Sequence, residues 1–172
     1  LAMSQVRFGL IGYGAWGSHH ARAIEENAPE ARLCAIAAKS PATVERARSE
    51  RPGTQVYNNW RDMLAREDLD VVAVVLPTDL HHEVGSAVLE SGRHLLLEKP
   101  MALTVAQCDD LLATAERKKK LLAIGHEFRL SSLWGKVKEM IDAGAIGEPR
   151  YALIELWRRP YRQGAEGWRY DI

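Results

Sequence analysis

Three short clusters carry residue types that can do chemistry, and each stands where an apolar run ends. The first is Gly12-Tyr13-Gly14-Ala15-Trp16-Gly17, which follows Val6-Arg7-Phe8-Gly9-Leu10-Ile11. At the spacing GxGxxG, Gly12 permits a tight turn out of a buried strand and Gly14 lets the backbone approach a pyrophosphate. Gly17 lets the following helix pack close to the strand. That helix would aim its free N–H groups at the phosphates. Alone, the pattern also fits a strand-to-helix turn that needs glycine only for its geometry. The second cluster is Ala38-Lys39-Ser40, at the place where an NAD-selective site carries an acidic residue for the ribose 2′-OH, about 20 residues past the glycines. Without that carboxylate a 2′-phosphate meets less repulsion, and Lys39 adds a cation and Ser40 a hydroxyl donor. These residues favour NADP over NAD. The plainer reading is an exposed loop lysine beside a helix-capping serine. The third cluster is Glu98-Lys99-Pro100, after His94-Leu95-Leu96-Leu97. A lysine at a strand end projects into a crevice, where its cation can orient a reacting hydroxyl or carbonyl and bias proton transfer, with Glu98 as an ion-pair partner. By itself the tripeptide reads first as a strand-capping salt bridge.

The intervening segments have the periodicities needed to position these clusters. Ala21, Ile24 and Ala28 recur at helical spacing and Pro29 closes that segment. Residues 32–38 form a short apolar run between turn signals, as in a strand buried on both faces. Ser40 as N-cap and Pro41 at the first helical position open a helix to about residue 50. Residues 55–57 suit a short strand, and 59–66 a short helix with Trp60, Met63 and Leu64 inward. The β-branched run 71–76, bounded by Asp70 and Pro77, is a strand. A helix from Asp79 carries Val84, Ala87 and Val88 and stops at Gly92. Strand 94–97 delivers Lys99. Thr104 and Gln107 match a capping box, with Val105, Cys108, Leu112 and Ala115 on one helical face. A sixth strand, 121–125, ends in His126-Glu127-Phe128-Arg129, and Leu133, Val137, Met140 and Ile141 mark a last helix, stopped by Gly144.

Six strands alternating with helices predict an α/β doubly wound parallel sheet of the Rossmann type, in the order 3-2-1-4-5-6. The ligand then lies beyond the carboxyl ends of the strands, so the loops 12–17, 38–40, 77–82, 98–100 and 126–129 matter. After Pro149 the run Arg150-Tyr151-Ala152-Leu153-Ile154-Glu155-Leu156-Trp157 alternates polar and apolar residues, as does a strand with one exposed face. The expected division is a dinucleotide-binding domain over 3–148 and the first strand of an incomplete α+β substrate and oligomerisation domain over 149–172.

Composition excludes several classes. Among 172 residues, 23 Lys+Arg balance 23 Asp+Glu, so no global field attracts nucleic acid or an anionic membrane. The run Arg117-Lys118-Lys119-Lys120 ends a predicted helix and reads as a solvated face. Two cysteines form neither a disulfide framework nor a metal-ligand spacing. His19, His20, His81, His82, His94 and His126 match no HExxH pattern, so no metal site is expected. No apolar run reaches the roughly 18 residues of a membrane span, and no signal-peptide pattern opens the chain. A reducing, cytoplasmic setting is expected. Leu1-Ala2 ahead of Met3 reads as an expression remnant.

Taken together, Gly12-Tyr13-Gly14-Ala15-Trp16-Gly17, Pro77-Thr78-Asp79-Leu80-His81, Glu98-Lys99-Pro100 and Gly125-His126 with Arg129, in this order, resemble the N-terminal half of the Gfo/Idh/MocA oxidoreductases, relatives of glucose–fructose oxidoreductase and inositol dehydrogenase. The resemblance implies hydride transfer between a nicotinamide cofactor, NADP or NAD, and a sugar, polyol or similar hydroxyl or keto compound. It places Gly12, Tyr13, Gly14, Ala15, Trp16 and Gly17 at the pyrophosphate, and Ala38, Lys39 and Ser40 around the adenosine ribose. Pro77, Thr78, Leu80 and His81 line the cofactor near the nicotinamide-side ribose, and Glu98, Lys99 and Pro100 lie close to the nicotinamide. Lys99 is the catalytic-site lysine, and Lys99–Pro100 a candidate cis peptide. Arg129 joins the cofactor contacts, as do Trp168 and Arg169 in a segment resembling one that folds back over the cofactor. The family's remaining catalytic aspartate and histidine belong to the second domain, past Ile172, and His126 is no substitute. The chain is therefore expected to be incomplete, to bind cofactor rather than catalyse alone, and to form a homo-oligomer when full length. Two other readings stand beside this one: a non-catalytic NADP-binding regulatory or sensor module, and a methyltransferase whose glycine loop would hold the nucleoside of S-adenosylmethionine.

Overall fold

A computed structural model of the chain describes residues 5–155 and 157. It divides into two compact units, Leu1–Gly125 and His126–Ile172.

In the first unit the apolar runs become β1 (Val6–Ile11), β2 (Ala31–Ala37), β3 (Gln55–Tyr57), β4 (Val71–Val74), β5 (His94–Leu97) and β6 (Leu122–Ile124). They pair in parallel in the order β3-β2-β1-β4-β5-β6, as the alternation of strands and helices predicts. Crossovers are α1 (Ala15–Glu26), α2 (Pro41–Glu50), α3 (Trp60–Arg66), α4 (His81–Glu90) and α5 (Val105–Lys118). Because successive strand side chains point to opposite faces, the sheet has a core on each side. Ile11, Val72, Val74, Leu95 and Leu97 meet Val84, Val88 and Leu111 on one face. Leu10, Ile36 and Ala73 meet Ala21, Ile24 and Val44 on the other. Each buried valine, leucine or isoleucine among them contributes roughly 1.5–3 kcal/mol by leaving water, and each alanine less. At the amino edge, Arg7 Nε and Nη2 donate to Asp70 at 3.0 and 2.8 Å, tying β1 to β4. These hydrogen bonds hold the Asp70 carboxyl down to about 2.

Several expectations change. The strand expected over 71–76 ends at Val74, although Val75 N still donates to Ile11 O at 2.8 Å. The helix expected from Asp79 begins as a 3-10 turn, Thr78–Leu80, before α4. Ala28 lies past the end of α1 and is exposed. On α5 the predicted face holds only in part: Ala115 is buried and Cys108 part-buried, but Val105 is 76% and Leu112 54% exposed, and Leu111 and Thr114 are buried in their place. Adjacent residues on a helix diverge by about 100°, so only one of the leucine pair 111–112 can face α4, and packing selects Leu111. The capping box forms only in part: Thr104 accepts from Gln107 N, but Gln107 Oε1 accepts from Leu103 N, one residue earlier than the motif requires.

In the second unit a 3-10 turn, Glu127–Leu130, precedes α6 (Ser132–Asp142), capped by Ser131. The face bearing Leu133, Val137 and Met140 is exposed. The strand expected over 150–157 does not form among the described residues, since residues 150–155 and 157 carry no regular structure. An apolar alternation needs a neighbouring ladder to become a strand, and none is offered to it among the described residues. The two units divide at Gly125, whereas the change of texture in the sequence falls at 147–149.

Candidate functional site

The carboxyl edge of the sheet is built by a repeated device: the residue that follows each of five strands donates one more ladder bond to its neighbour. Gly12 N reaches Ala37 O at 2.8 Å, Ala38 N reaches Tyr57 O at 3.0 Å, and Val75 N reaches Ile11 O at 2.8 Å. Glu98 N reaches Val74 O at 3.0 Å and Gly125 N reaches Leu97 O at 2.8 Å. The loops leave from fixed points, and between those after β1, β2, β3 and β4 opens a cleft of about 870 Å3, which the residues after β5 and β6, Glu98, Lys99 and Gly125 among them, do not line. Ligand sites typically span roughly 300–1,000 Å3, so a cofactor-sized molecule fits.

The glycine turn forms one wall, and its three glycines have separate reasons. Gly12 has φ +99°, and a Cβ there would lie 2.0 Å from Val75 O. Gly17 is buried in α1, where a Cβ would lie 2.1 Å from Gly12 O. Gly14 differs from both, since nothing lies within 4 Å of where its Cβ would be and it lines the cleft. It is also the N-cap of α1 and supplies no side-chain cap. The helices α2, α3, α5 and α6 are each capped by a side chain, from Ser40, Asn59, Thr104 and Ser131, while α4, also without a side-chain cap, continues from the 3-10 turn Thr78–Leu80. The first N–H groups of α1 are thus left for a partner of another kind, and a phosphate is the usual one.

Tyr13 lines the cleft yet is only 1% exposed. Its hydroxyl donates to Glu50 Oε2 at 2.8 Å, and Arg46 lies over the ring at 5.3 Å while donating to the Tyr13 carbonyl. Burial, aided by the Glu50 carboxylate, pushes the phenol up to about 12. Ala38, Lys39 and Ser40 line the same cleft, as do Pro77 and Leu80. Ser40 is the cap of α2, accepting from Thr43 N at 3.2 Å and donating to Thr43 Oγ1 at 2.7 Å, so the plainer reading of that serine describes its contacts. Lys39 is exposed. The end of β3, absent from the loops singled out in the sequence, supplies Asn58, Asn59, Trp60, Arg61 and Asp62 to the cleft. Arg61 stacks on Trp60 at 4.1 Å and pairs with Glu83 at 2.5 Å. The strand-end rule applied to residues 55–57 would have found this segment.

Around Glu98 the structure corrects the expected ion pair with Lys99. Successive side chains leaving a strand point apart. Glu98 turns inward and is 8% exposed, whereas Lys99 is exposed and, among the described residues, its ammonium has no ion-pair partner. The Glu98 carboxylate instead accepts from Trp16 Nε1 at 2.9 Å, His20 Nε2 at 2.8 Å and Lys99 N at 3.1 Å. Burial acts to raise this carboxyl, and the hydrogen bonds from His20, Trp16 and Lys99 outweigh it, leaving it below the ordinary carboxylate value. Trp16 is half-exposed and meets His19 edge-on at 5.4 Å. Sequence reasoning passed over His20, although its place three residues after Gly17 sets it on the sheet-facing side of α1.

His81 is buried rather than open to the cleft, its Nδ1 2.7 Å from Pro100 O and its Nε2 2.9 Å from Leu76 O. Thr78 lies in the 3-10 turn beside it, and Ala15 opens α1. The Lys99–Pro100 bond is cis, as the resemblance implied. Arg129 belongs to the second unit, and Trp168 and Arg169 lie outside the described residues. No group of three or more metal-ligating side chains occurs among the described residues.

A doubly wound sheet with an open glycine turn at its carboxyl edge defines a dinucleotide-binding α/β protein. Residues 6–126 match the Gfo/Idh/MocA model, described as an oxidoreductase family with an NAD-binding Rossmann fold, and the chain belongs to that family. It is 26% identical to an inositol 2-dehydrogenase of Salmonella paratyphi B, over 84% of this chain and 44% of the relative. It is 32% identical to a glycosyl hydrolase family 109 protein of a Shewanella species, over 85% of this chain and 34% of that protein. Among solved structures, scyllo-inositol dehydrogenase from Lactobacillus casei with bound NAD(H) and scyllo-inositol superposes with a TM-score of 0.78 at 26% identity, covering 84% of this chain and 43% of the other. The chain thus spans less than half the length of these relatives.

Proposed function

We propose that a protein carrying this chain transfers hydride between a nicotinamide dinucleotide and a hydroxyl or keto carbon of a sugar, polyol or related small molecule. The observation that carries the reading is the uncapped start of α1 beside Gly14, whose open face looks onto the cleft. On this reading the turn Gly12-Tyr13-Gly14 and the first N–H groups of Ala15, Trp16 and Gly17 receive the pyrophosphate. Ala38, Lys39 and Ser40 surround the adenosine ribose, and Pro77, Thr78 and Leu80 flank the cofactor towards its nicotinamide end. The bound nicotinamide supplies the carbon that accepts or gives hydride. Lys99 presents its ammonium to the substrate oxygen, orienting it and biasing proton transfer, while Glu98 stays inward as part of the frame.

The preferred cofactor in this proposal is NADP. Its support is the carboxylate-free end of β2 with the exposed Lys39 cation; Arg61, on the same cleft, contributes less, since it pairs with Glu83 at 2.5 Å. Ser40 adds less, since its hydroxyl is engaged with Thr43. The same proposal places the protein in a reducing cytoplasm, where the free thiols of Cys34 and Cys108 persist. It begins a substrate and oligomerisation domain near residue 149, and has the assembled homo-oligomer act on a small molecule rather than nucleic acid.

Fluorescence titration tests the cofactor part and turnover the rest. NADPH binds tighter than NADH, and Lys39→Asp reverses the order; equal affinities before and after remove the argument for NADP. Lys99→Ala cuts turnover with sugar or polyol substrates far more than it weakens cofactor binding, and a variant with normal turnover makes the lysine structural.

A further inference from the structure

Lys99 is exposed, yet both of its neighbours are held by side chains from elsewhere in the fold. On its amino side the buried Glu98 accepts from His20 at 2.8 Å and Trp16 at 2.9 Å through Oε1, and from Lys99 N at 3.1 Å through Oε2. Gly125 packs beside that carboxylate, where a Cβ would lie 3.0 Å from Oε1. On its carboxyl side the Pro100 carbonyl faces His81 Nδ1 at 2.7 Å, and the other ring nitrogen faces Leu76 O at 2.9 Å. His81 is 1% exposed, so its ring nitrogens are shielded from water, and a neutral imidazole, with a single N–H, donates to one of these two carbonyls.

We propose that His20 and His81 are positioning residues for Lys99, His20 acting through the Glu98 carboxylate and His81, as the tautomer protonated on Nδ1, through the Pro100 carbonyl. A lysine side chain is a flexible four-carbon stem with a point charge, and it can be aimed only if its own backbone is fixed. Strand β5 ends at Leu97, and the last ladder bond is made by Glu98 N, so the ladder leaves Lys99 unsupported. The two histidines supply what the ladder lacks. They stand on the helices that frame the cleft: His20 with Trp16 on α1, which the glycine turn opens, and His81 at the start of α4, after Pro77 and Leu80. The position of Lys99 is thereby referenced to the same two helices as the cofactor cleft, and not to β5 alone. This inference rests on Lys99 facing the reacting atoms.

The test uses the full chain, unmodified and as His20→Leu, His20→Gln, His81→Phe and His81→Gln. Hydrogen exchange of the Lys99 amide is followed without cofactor. NMR of 13C-methylated lysines, with the Lys99 resonance assigned by Lys99→Arg, is followed with and without NADH. His20→Leu speeds exchange of the Lys99 amide about fivefold or more, because the carboxylate that accepts from it loses a charge-assisted anchor. In His20→Leu and His81→Phe the NADH-induced shift of the Lys99 resonance falls by about half or more while NADH affinity changes by less than about threefold, as expected when placement rather than binding is lost. The glutamine variants, which keep an amide donor, restore both readouts. Folded His20→Leu and His81→Phe proteins with the exchange and shift of the parent overturn the proposal. Should His81→Phe fail to fold, the His20 pair decides by the same measurements. A parent chain that binds no nicotinamide cofactor defeats the proposed function instead, and the cofactor-free exchange then still decides whether His20 holds Lys99.

Discussion

Replacing each glycine of the turn by alanine separates a structural requirement from a functional one, because the three positions offer an added methyl group three different surroundings. At Gly12 the methyl would lie 2.0 Å from Val75 O, a backbone atom already fixed by the bond from Val75 N to Ile11 O, and φ is +99°. The dihedral strain costs about 1–3 kcal/mol and the overpacking a similar amount, so Gly12→Ala loses ~3–5 kcal/mol. At Gly17 the methyl would lie 2.1 Å from Gly12 O, but the residue is within α1, where alanine recovers ~1 kcal/mol of helix propensity. The net loss there is about 1–2 kcal/mol. At Gly14, φ −72° and ψ −165° suit alanine and nothing lies within 4 Å, so the poorer N-cap, about 1 kcal/mol, is largely offset by the ~0.4–1 kcal/mol that alanine gains by restricting the unfolded chain, and stability changes by only a few tenths of a kcal/mol. Thermal denaturation converts these to a fall of roughly 10 °C or more, about 5 °C, and under about 2 °C respectively. NADH titration gives a different ranking. Gly14→Ala, although as stable as the parent, binds about tenfold or more weakly, because the methyl stands where the pyrophosphate must approach the backbone. A Gly14→Ala protein that melts as low as Gly12→Ala, or that binds NADH as the parent does, refutes the reasoning.

Two further outcomes follow from burial. Leu111→Ala, at a position with no exposure, lowers stability by about 2–5 kcal/mol in denaturant titration, whereas Leu112→Ala, half-exposed on the same helix, changes it by less than about 1 kcal/mol; equal losses would show that the phase of α5 is wrong. Tyr13 ionises near pH 12 in a spectrophotometric titration, above the ordinary tyrosine value of 10. Its native pKa lies above the ordinary value of 10, so the native chain holds a proton that the unfolded chain releases, and the stability from this group is complete below pH 10 and lost as pH rises from 10 towards 12. Tyr13→Phe removes that part of the alkaline transition.

The sheet order was legible because each crossover joins strands close in sequence, and the glycine turn because its three glycines fall at a set spacing within six residues, although the contact that excludes a side chain at Gly12 comes from the distant Val75. What sequence could not supply are contacts between distant segments. Glu98 stands 82 residues from Trp16 and 78 from His20, and adjacency made Lys99 look like its partner. Periodicity in α5 admitted two faces, since residues 111 and 112 are both leucine, and only packing against α4 chooses. The end of β3 was passed over because a strand of three residues gives a weak signal, although Asn58 to Asp62 form a substantial part of the cleft wall. Ser40 carried two readings in sequence, and hydrogen bonds to Thr43 favour the cap. At Arg150 to Glu155 alternation alone predicted a strand, and without a ladder the period is not realised.

The bonds that extend the ladder past the strand ends explain why the cofactor half of such a site is readable and the reacting half less so. Gly12, Ala38, Val75, Glu98 and Gly125 are each fixed by a backbone N–H to a neighbouring carbonyl at 2.8–3.0 Å, whatever their side chains. A ligand held by the backbone of these loops needs glycine or proline at set spacings, and spacings can be read. Directly after the last of these bonds on β5, Lys99 passes beyond backbone control, and its support comes from side chains on α1 and α4. The residue closest to the proposed chemistry therefore depends most on contacts that no local pattern records, and substitutions at His20 or His81 reach it without touching the cleft.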